Sequence, residues 1–189
     1  MALKQYKPYT KSTRSTILID RSGLWKGKPY KPLTAANKSV KGRNNQGRIT
    51  SRNHGGGHKQ KYRIVDFYRK KFDVKGSIER LEYDPNRSCH IMLVKFEDGE
   101  KSYYLAPQKI KVGDVVQNGP NSEIKVGNAL PLKDIPVGID IHNVELHPGG
   151  GGKIARAAGA NVTITGFDGN YSIIKMTSGE IRKIDSRCL

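Results

Sequence analysis

Carboxylates are scarce in the first third of the chain. Residues 1–71 contain 19 lysines and arginines but only two acidic residues, Asp20 and Asp66, whereas residues 72–189 contain 15 basic and 15 acidic residues. The whole net charge of +17 therefore lies in residues 1–71. Such an asymmetry is typical of a basic arm attached to an ordinary folded body.

Other absences exclude further classes of protein. Cys89 and Cys188 are the only cysteines, so the sequence does not indicate a disulfide scaffold. No apolar run approaches the length of a membrane span, and the first ten residues lack the apolar segment of a signal peptide, so we expect no membrane partner. No nucleophile, base and orienting acid occur together in a recognisable pattern. We therefore expect neither enzymatic activity nor a cofactor.

Residues 1–60 are interpreted as an extended basic arm. Pro8, Pro29 and Pro32 interrupt them and no helical period is present, which argues against an amphipathic membrane-binding helix. Residues 42–63 (GRNNQGRITSRNHGGGHKQKYR) contain no carboxylate and only one aliphatic side chain. Arginine, asparagine and glutamine hydrogen-bond phosphates, sugars and base edges. Nucleic acid is therefore favoured as the partner over the alternative of a solubilising disordered tail.

From about Tyr62 onward, the sequence predicts β-strands and no helix. Runs of β-branched and aromatic residues are separated by turn signals. The clearest turn dipeptides are Asp98-Gly99, Asp168-Gly169 and Ser178-Gly179. The fold class is therefore all-β, with one unit over residues 61–127 and a second over residues 128–189. Units of this size are marginally stable alone, so we expect the two to pack together.

Two glycine-rich loops are candidate sites. His54 and His58 have the spacing of two metal ligands on a helix, but the three intervening glycines disfavour a helix, so we expect contact with RNA and no metal. The second loop, residues 149–153 (GGGGK), lacks the hydroxyl residue that follows the lysine of a nucleotide-binding loop. A second RNA-facing loop is favoured there, and a plain surface turn remains the alternative.

The RNA-contacting residues predicted from these patterns fall into two groups. In the first group, basic side chains would contact phosphates, amides would reach sugars or base edges, and glycines would permit close approach. Its members are Arg43, Asn44, Asn45, Gln46, Arg48, Arg52, His54, Gly55, Gly56, Gly57, His58, Lys59, Lys61 and Arg63. The second group is Lys153, Arg156 and Arg182.

Five ordered segments resemble the bacterial-type universal large-subunit ribosomal protein number two family. They are GRNNQGRITSRNHGGGHKQKYRIVDF (42–67), ERLEYDPNRS (79–88), DGEKSYYLAPQ (98–108), GNALPLKDIPVG (127–138) and GEIRKID (179–185). The resemblance implies that the arm precedes an OB-fold barrel and then an SH3-like barrel. It also implies binding to large-subunit rRNA and neighbouring ribosomal proteins, and support of subunit association and of the surroundings of the peptidyl-transferase centre. The alternative is a free-standing OB-type single-strand nucleic-acid-binding or translation-factor-like module.

The resemblance stops short of a long basic extension that the family carries at its C-terminal end. We expect a separate polypeptide to supply that half, and a mitochondrial ribosome as the location, with a bacterial-type cytoplasm or a plastid as alternatives. The sequence also departs from the family pattern at Asn53, which separates Arg52 from His54, and at Gly151, where the family has lysine.

Overall fold

The computed structural model describes residues 3–37 and 40–189, so Met1, Ala2, Lys38 and Ser39 of the predicted arm lie outside it. The regular secondary structure of the described residues is mainly β-strand, which confirms the predicted all-β fold class. A four-residue helix, α1 (Lys11–Arg14), and two 3₁₀ turns, Lys31–Leu33 and Leu132–Asp134, accompany them. The strands are β1 (Leu3–Gln5), β2 (Ile17–Ile19), β3 (Thr34–Ala36), β4 (Lys61–Arg63), β5 (Gly76–Glu82), β6 (Ile91–Phe96), β7 (Lys101–Leu105), β8 (Val115–Val116), β9 (Asp140–Ile141), β10 (Val144–Glu145), β11 (Gly152–Ile154), β12 (Val162–Asp168), β13 (Tyr171–Met176) and β14 (Ile181–Asp185).

The first unit is built on an antiparallel sheet with the strand order β7-β6-β5-β8. A β-bulge between Ile78 and Arg80 shifts the β5–β6 register, and bulges of this kind increase the twist of a sheet. Gly99 has a φ of 86° in the turn between β6 and β7, a conformation that glycine adopts without steric cost. The hairpin predicted at Asp98-Gly99 is therefore confirmed.

Strand β6 is buried on both faces. Met92 and Val94 point into one core cluster, which they share with Tyr104, whereas Ile91 and Leu93 belong to a second cluster. Val65 belongs to that second cluster, and the partly buried Tyr30 and Leu33 pack against it and cover the outer face of the sheet. A continuous apolar run such as IMLV is what burial on both faces requires.

The end of the predicted arm is joined to this sheet. The Trp25 N–H donates to the Leu81 carbonyl over 2.8 Å, and the Tyr30 N–H donates to the Tyr103 hydroxyl over 2.8 Å. Strand β3 pairs with β4, and Val65 then forms a parallel bridge to Tyr103. The domain boundary at residue 60 stays a prediction, but residues 24–36 contribute to the first unit.

The second unit contains the antiparallel sheet β14-β13-β12-β9 and the pair β10–β11. Its core cluster includes Leu132, Val162, Ile164, Ile174 and Ile184. The tight turns predicted at Asp168-Gly169 and Ser178-Gly179 connect β12 to β13 and β13 to β14, as expected.

The two units are in contact through backbone and side-chain hydrogen bonds. The Gly152 N–H donates to the Phe67 carbonyl over 2.9 Å, and the Ala158 N–H donates to the Ser88 hydroxyl over 3.1 Å. The Cys89 thiol donates to the Arg156 carbonyl over 3.1 Å. These bonds fix the start of β11 and the segment that follows it against the first unit.

Within residues 3–37 and 40–189, no helix has the length and apolarity that crossing a membrane requires.

Candidate RNA interface

Residues 42–51 form a closed turn that holds several predicted site residues in fixed positions. The Gly42 carbonyl accepts hydrogen bonds from the N–H groups of Thr50 and Ser51, over 2.9 and 3.1 Å. A Cβ atom on Gly42 would lie 2.2 Å from the Ser51 carbonyl oxygen, and the φ of Gly42 is 62°. Only glycine fits this position without displacing the backbone.

Asn44 maintains the turn itself. Its side-chain oxygen accepts the N–H groups of Gln46 and Arg48, over 3.1 and 2.9 Å, which is the Asx type of turn. The guanidinium of Arg43 donates to the Gly47 carbonyl over 2.9 Å. The oxygen of Asn44 is thus engaged in the loop, while Asn45 and the side chains of Gln46 and Arg48 are exposed.

Residues 52–59 continue from this turn as exposed chain without a helix or strand. Gly55 and Gly56 have φ values of 99° and 77°, which are incompatible with the helix that two metal-binding histidines would need. Among the residues that the structure describes, no three His, Cys, Asp or Glu side chains are grouped to hold a metal ion. We name residues 43–61 the basic loop. Its exposed side chains include Arg43, Arg48, Arg52, His54, His58, Lys59 and Lys61.

The end of the basic loop meets a turn of the first unit. Asn86 donates from its side-chain nitrogen to the Lys61 carbonyl over 2.8 Å. Buried Asp84 binds both Asn86 and Arg87, and the Arg87 Nε to Asp84 Oδ2 distance is 2.6 Å. This carboxylate therefore sets the direction of the Arg87 guanidinium, which lies 5.9 Å from the centre of the Tyr62 ring.

Arg87 and Arg156 converge on one aromatic ring although they belong to different units. Their guanidinium carbons lie 5.6 and 4.7 Å from the centre of the Phe67 ring, within the range of a cation–π interaction. We name Arg87 and Arg156 the junction surface. Arg87 was not among the residues predicted from the sequence. The signal that could have indicated it is Asp84, three positions earlier, because the Asp84 carboxylate pairs with the Arg87 guanidinium and fixes its position.

The glycine loop before β11 is organised by an internal carboxylate. Buried Glu145 accepts the N–H groups of Gly149, Gly151 and Leu189, over 3.1, 2.8 and 3.3 Å. These N–H groups are the donors that would otherwise cradle a phosphate. The loop N–H groups are thus engaged by the protein's own carboxylate, and the predicted contact with RNA would depend on exposed Lys153 and not on the loop backbone.

The other predicted residues are dispersed. Arg63 is half-buried and donates to the Lys61 carbonyl over 2.8 Å. Arg182 lies on β14, where its Nε is 2.7 Å from the Glu180 carboxylate. Arg182, like Arg87, is thus paired with a carboxylate, and the structure does not place it on the junction surface.

A buried polar network connects the arm to the sheet that carries the interface. The Tyr103 hydroxyl donates to Glu82, with oxygen distances of 3.0 and 2.9 Å, and accepts the Tyr30 N–H. Arg80 pairs with Glu82 over 2.7 Å. Burial raises the pKa of Tyr103 to about 12, so this hydroxyl stays a hydrogen-bond donor at neutral pH.

Two family models match consecutive parts of the chain. Residues 30–118 match "Ribosomal Proteins L2, RNA binding N-terminal domain", and residues 125–189 match "Ribosomal Proteins L2, C-terminal domain". The chain belongs to the ribosomal protein L2 family. Residues 119–124, which lie between the two ranges matched by the L2 models, belong to the segment between β8 and β9.

Individual relatives support the same assignment. Proteins called "Large ribosomal subunit protein uL2" are 73% identical in Pelagibacter ubique, 58% in Granulibacter bethesdensis and 57% in Gluconacetobacter diazotrophicus. Each similarity covers 100% of this chain and 68% of the relative. These relatives are bacterial, so they do not favour the predicted mitochondrial matrix over a bacterial cytoplasm.

Proposed function

We propose that this L2-family chain is a structural constituent of the large ribosomal subunit and binds large-subunit rRNA through the basic loop and the junction surface. The observation that carries the proposal is the set of exposed basic side chains in the basic loop, the end of which is hydrogen-bonded to the first unit through Asn86. The alternative of a free-standing single-strand-binding or translation-factor-like module is not favoured, because both L2 models match in order.

The basic loop provides most of the electrostatic attraction. Its side chains have little to bury against and carry one sign of charge, so the free energy of binding comes from the release of counterions from the RNA backbone. The fixed turn around Asn44 reduces the conformational entropy that binding would otherwise cost. Asn45 and Gln46, which are exposed, are placed to hydrogen-bond sugars or base edges.

The junction surface provides a second point of attachment. Arg87 is oriented by a buried carboxylate, and Arg156 lies across the same aromatic ring. Arg156 is exposed and can bind a phosphate where the two units meet, whereas the Arg87 side chain is 16% exposed and already paired with Asp84, so it contributes less. Lys153, three residues before Arg156, extends this surface, whereas Arg182 stays a separate prediction.

The experiment compares the salt dependence of binding to a large-subunit rRNA fragment. In the test variant, Arg48, Arg52, Lys59 and Lys61 are all changed to Gln. If these side chains contact four phosphates, the slope of log affinity against log salt concentration should decrease by about 3. A matched control changes four exposed lysines outside the interface to Gln: Lys95, Lys111, Lys133 and Lys175.

The control should retain most of the wild-type slope and affinity. If the salt-dependence slope decreases equally in the two variants, the phosphate contacts are distributed over the whole protein surface and the basic loop is not the site. Sedimentation separates the alternative function, since a ribosomal constituent remains with large-subunit particles in high salt whereas a factor dissociates.

Four finer predictions accompany this proposal. If the chain lies in the large subunit, it would support subunit association and the surroundings of the peptidyl-transferase centre. If its role is purely structural, we expect no enzymatic activity. The mitochondrial location and the separate polypeptide for the remaining family sequence stay predictions. Mass spectrometry of the purified large subunit tests the latter, since a basic polypeptide matching that sequence must be present in one copy beside this chain.

A further inference from the structure

Strand β14 lies at the edge of the second sheet. The strand order is β14-β13-β12-β9, and within residues 3–37 and 40–189 only β13 pairs with β14. Ile181, Arg182 and Lys183 of β14 are exposed, and Ile181 is 63% exposed. The unpaired edge of a strand presents backbone donors and acceptors with which another extended chain can pair.

The register shows which backbone groups this edge presents. The Ser186 N–H donates to the Asn170 carbonyl over 2.9 Å, one step beyond the end of the β13–β14 pairing. Hydrogen-bonded pairs recur at every second position of an antiparallel ladder, so counting back from Ser186 brings the backbone of Arg182 toward β13. The N–H and carbonyl groups of Ile181 and Lys183 therefore point to the unpaired edge.

The charges beside this edge are paired within the chain. The three ion pairs are Glu180–Arg182, Asp168–Lys183 and Asp185–Arg187, with nitrogen–oxygen distances of 2.7, 2.5 and 2.7 Å. Three carboxylates disfavour the approach of a phosphate backbone, whereas the basic loop contains no carboxylate. A protein segment is therefore favoured over RNA as the partner of this edge.

A second copy of this chain fits the edge poorly. If a two-fold axis paired most of β14 with β14 of another copy, Arg182 or Lys183 would lie opposite itself. Like charges directly opposite each other destabilise a strand pair, and lysine on an edge strand is a common protection against self-association. The partner is therefore a different chain, and a carboxylate opposite Lys183 would complement the edge.

Apolar side chains beside the edge give such a partner a surface to cover. Ile181 lies opposite Lys175 of β13, and side chains two residues apart on a strand share a face. Tyr171, which is 52% exposed, and half-buried Ile173 therefore lie on the same face of the sheet as Ile181. An added strand could bury these three side chains together.

We propose that the unpaired edge of β14 binds an extended segment of a neighbouring large-subunit protein, which adds to the sheet as a further strand. This inference rests on the proposed function, because that function places the chain in the large subunit. The segment pairs its backbone with Ile181 and Lys183, packs an aliphatic side chain against Ile181 and carries a carboxylate opposite Lys183. Arg182, predicted from the sequence to contact RNA, then lies beside a protein partner.

The first test places a photoreactive p-benzoylphenylalanine at position 181 of the full chain, in purified large subunits that contain this chain. Irradiation should cross-link position 181 to one ribosomal protein, and mass spectrometry should assign the cross-link to a single peptide of that protein. The matched control carries the same group at Val112 of the first unit, which is 57% exposed, and should not give that cross-link. Cross-linking of position 181 to rRNA alone, or to nothing, would overturn the proposal.

The second test measures binding of the cross-linked peptide, made synthetically, to the full chain. Ile181→Pro removes one edge N–H at the first position of a strand, where proline is tolerated, and should weaken binding by about tenfold or more. Lys183→Glu, which keeps the backbone, should weaken it as well, whereas Ile181→Val should bind within about twofold of the wild type. Wild-type affinity in both Ile181→Pro and Lys183→Glu would exclude strand addition. Failure of the proposed function is distinguished by sedimentation, because the chain would then be absent from the large-subunit particles.

Discussion

At the scale of single residues, internal partners decide which polar groups are free to bind RNA. The backbone donors of Gly149 and Gly151 are engaged by Glu145, so the glycine run does not act as an anion site. Asp84 likewise engages the guanidinium of Arg87 and holds it over the Phe67 ring. Both carboxylates are buried and bonded, as buried charges must be.

His142 makes the stability of the fold sensitive to pH. Burial, and to a smaller extent the charge of Arg69, lower its pKa from 6.5 to about 4. The unfolded chain therefore takes up a proton below pH 6.5 that the folded chain does not, and stability falls as the pH decreases toward 4. Between pH 7 and pH 5, we expect His142 to account for a loss of about 2 kcal/mol in the free energy of unfolding.

Urea denaturation at the two pH values measures this contribution. His142→Gln should remove about that much of the pH dependence, whereas His147→Gln, at an exposed position, should leave it unchanged. Equal pH dependence in the wild type and in His142→Gln would show that the folded His142 titrates normally.

At the scale of elements, the hairpins could be predicted from the residues of their turns. The distant segment that covers the second face of β6 could not be predicted from the sequence. Asp98-Gly99 predicts its hairpin because a tight turn needs positive φ angles. The run IMLV predicts a buried strand but not what covers its second face, and that cover comes from Tyr30 and Leu33, some 60 residues earlier. The basic loop was identifiable from composition, but the position of Arg87 beside Arg156 depends on packing between units, which no sequence period encodes.

The packing of Tyr30 and Leu33 against the first unit predicts how far the arm can be truncated without loss of stability. Removing residues 1–20 deletes the exposed hairpin of β1 and β2 and should leave the free energy of unfolding unchanged within about 0.5 kcal/mol. Removing residues 1–36 exposes one side of Leu93 and deletes the Tyr30 N–H that binds Tyr103. That deletion should cost about 3 kcal/mol or more.

Urea unfolding followed by circular dichroism compares the two truncations with the full chain, since this signal does not depend on Trp25. If the longer truncation were as stable as the shorter one, the arm would be independent of the first unit up to residue 36.

At the scale of the whole molecule, a buried arginine holds the segment that leads into the second unit. Arg69 is 5% exposed and has a φ of 49°, and its guanidinium donates to the Gly127 carbonyl over 2.7 Å. The same group lies 4.4 Å from the centre of the Tyr104 ring. Gly127 precedes the second unit, so Arg69 holds the connecting segment against the core of the first. The proposed interface would need this rigidity because Arg87 and Arg156 come from different units.

Arg69→Met tests whether the units unfold as one. The substitution keeps an apolar stem of similar length but leaves the Gly127 carbonyl without its buried donor, at a cost of about 1–3 kcal/mol. The two units share hydrogen bonds and neither is large, so we expect them to unfold together. The loss in free energy of unfolding should therefore be the same for both units. Native-state hydrogen exchange should therefore accelerate by a similar factor at the amides of Leu93 and Ile174, which lie in buried strands of the first and second units. Lys70→Met, at the exposed neighbouring position, should accelerate exchange at neither amide. Faster exchange at Leu93 alone would mean that the two units unfold independently.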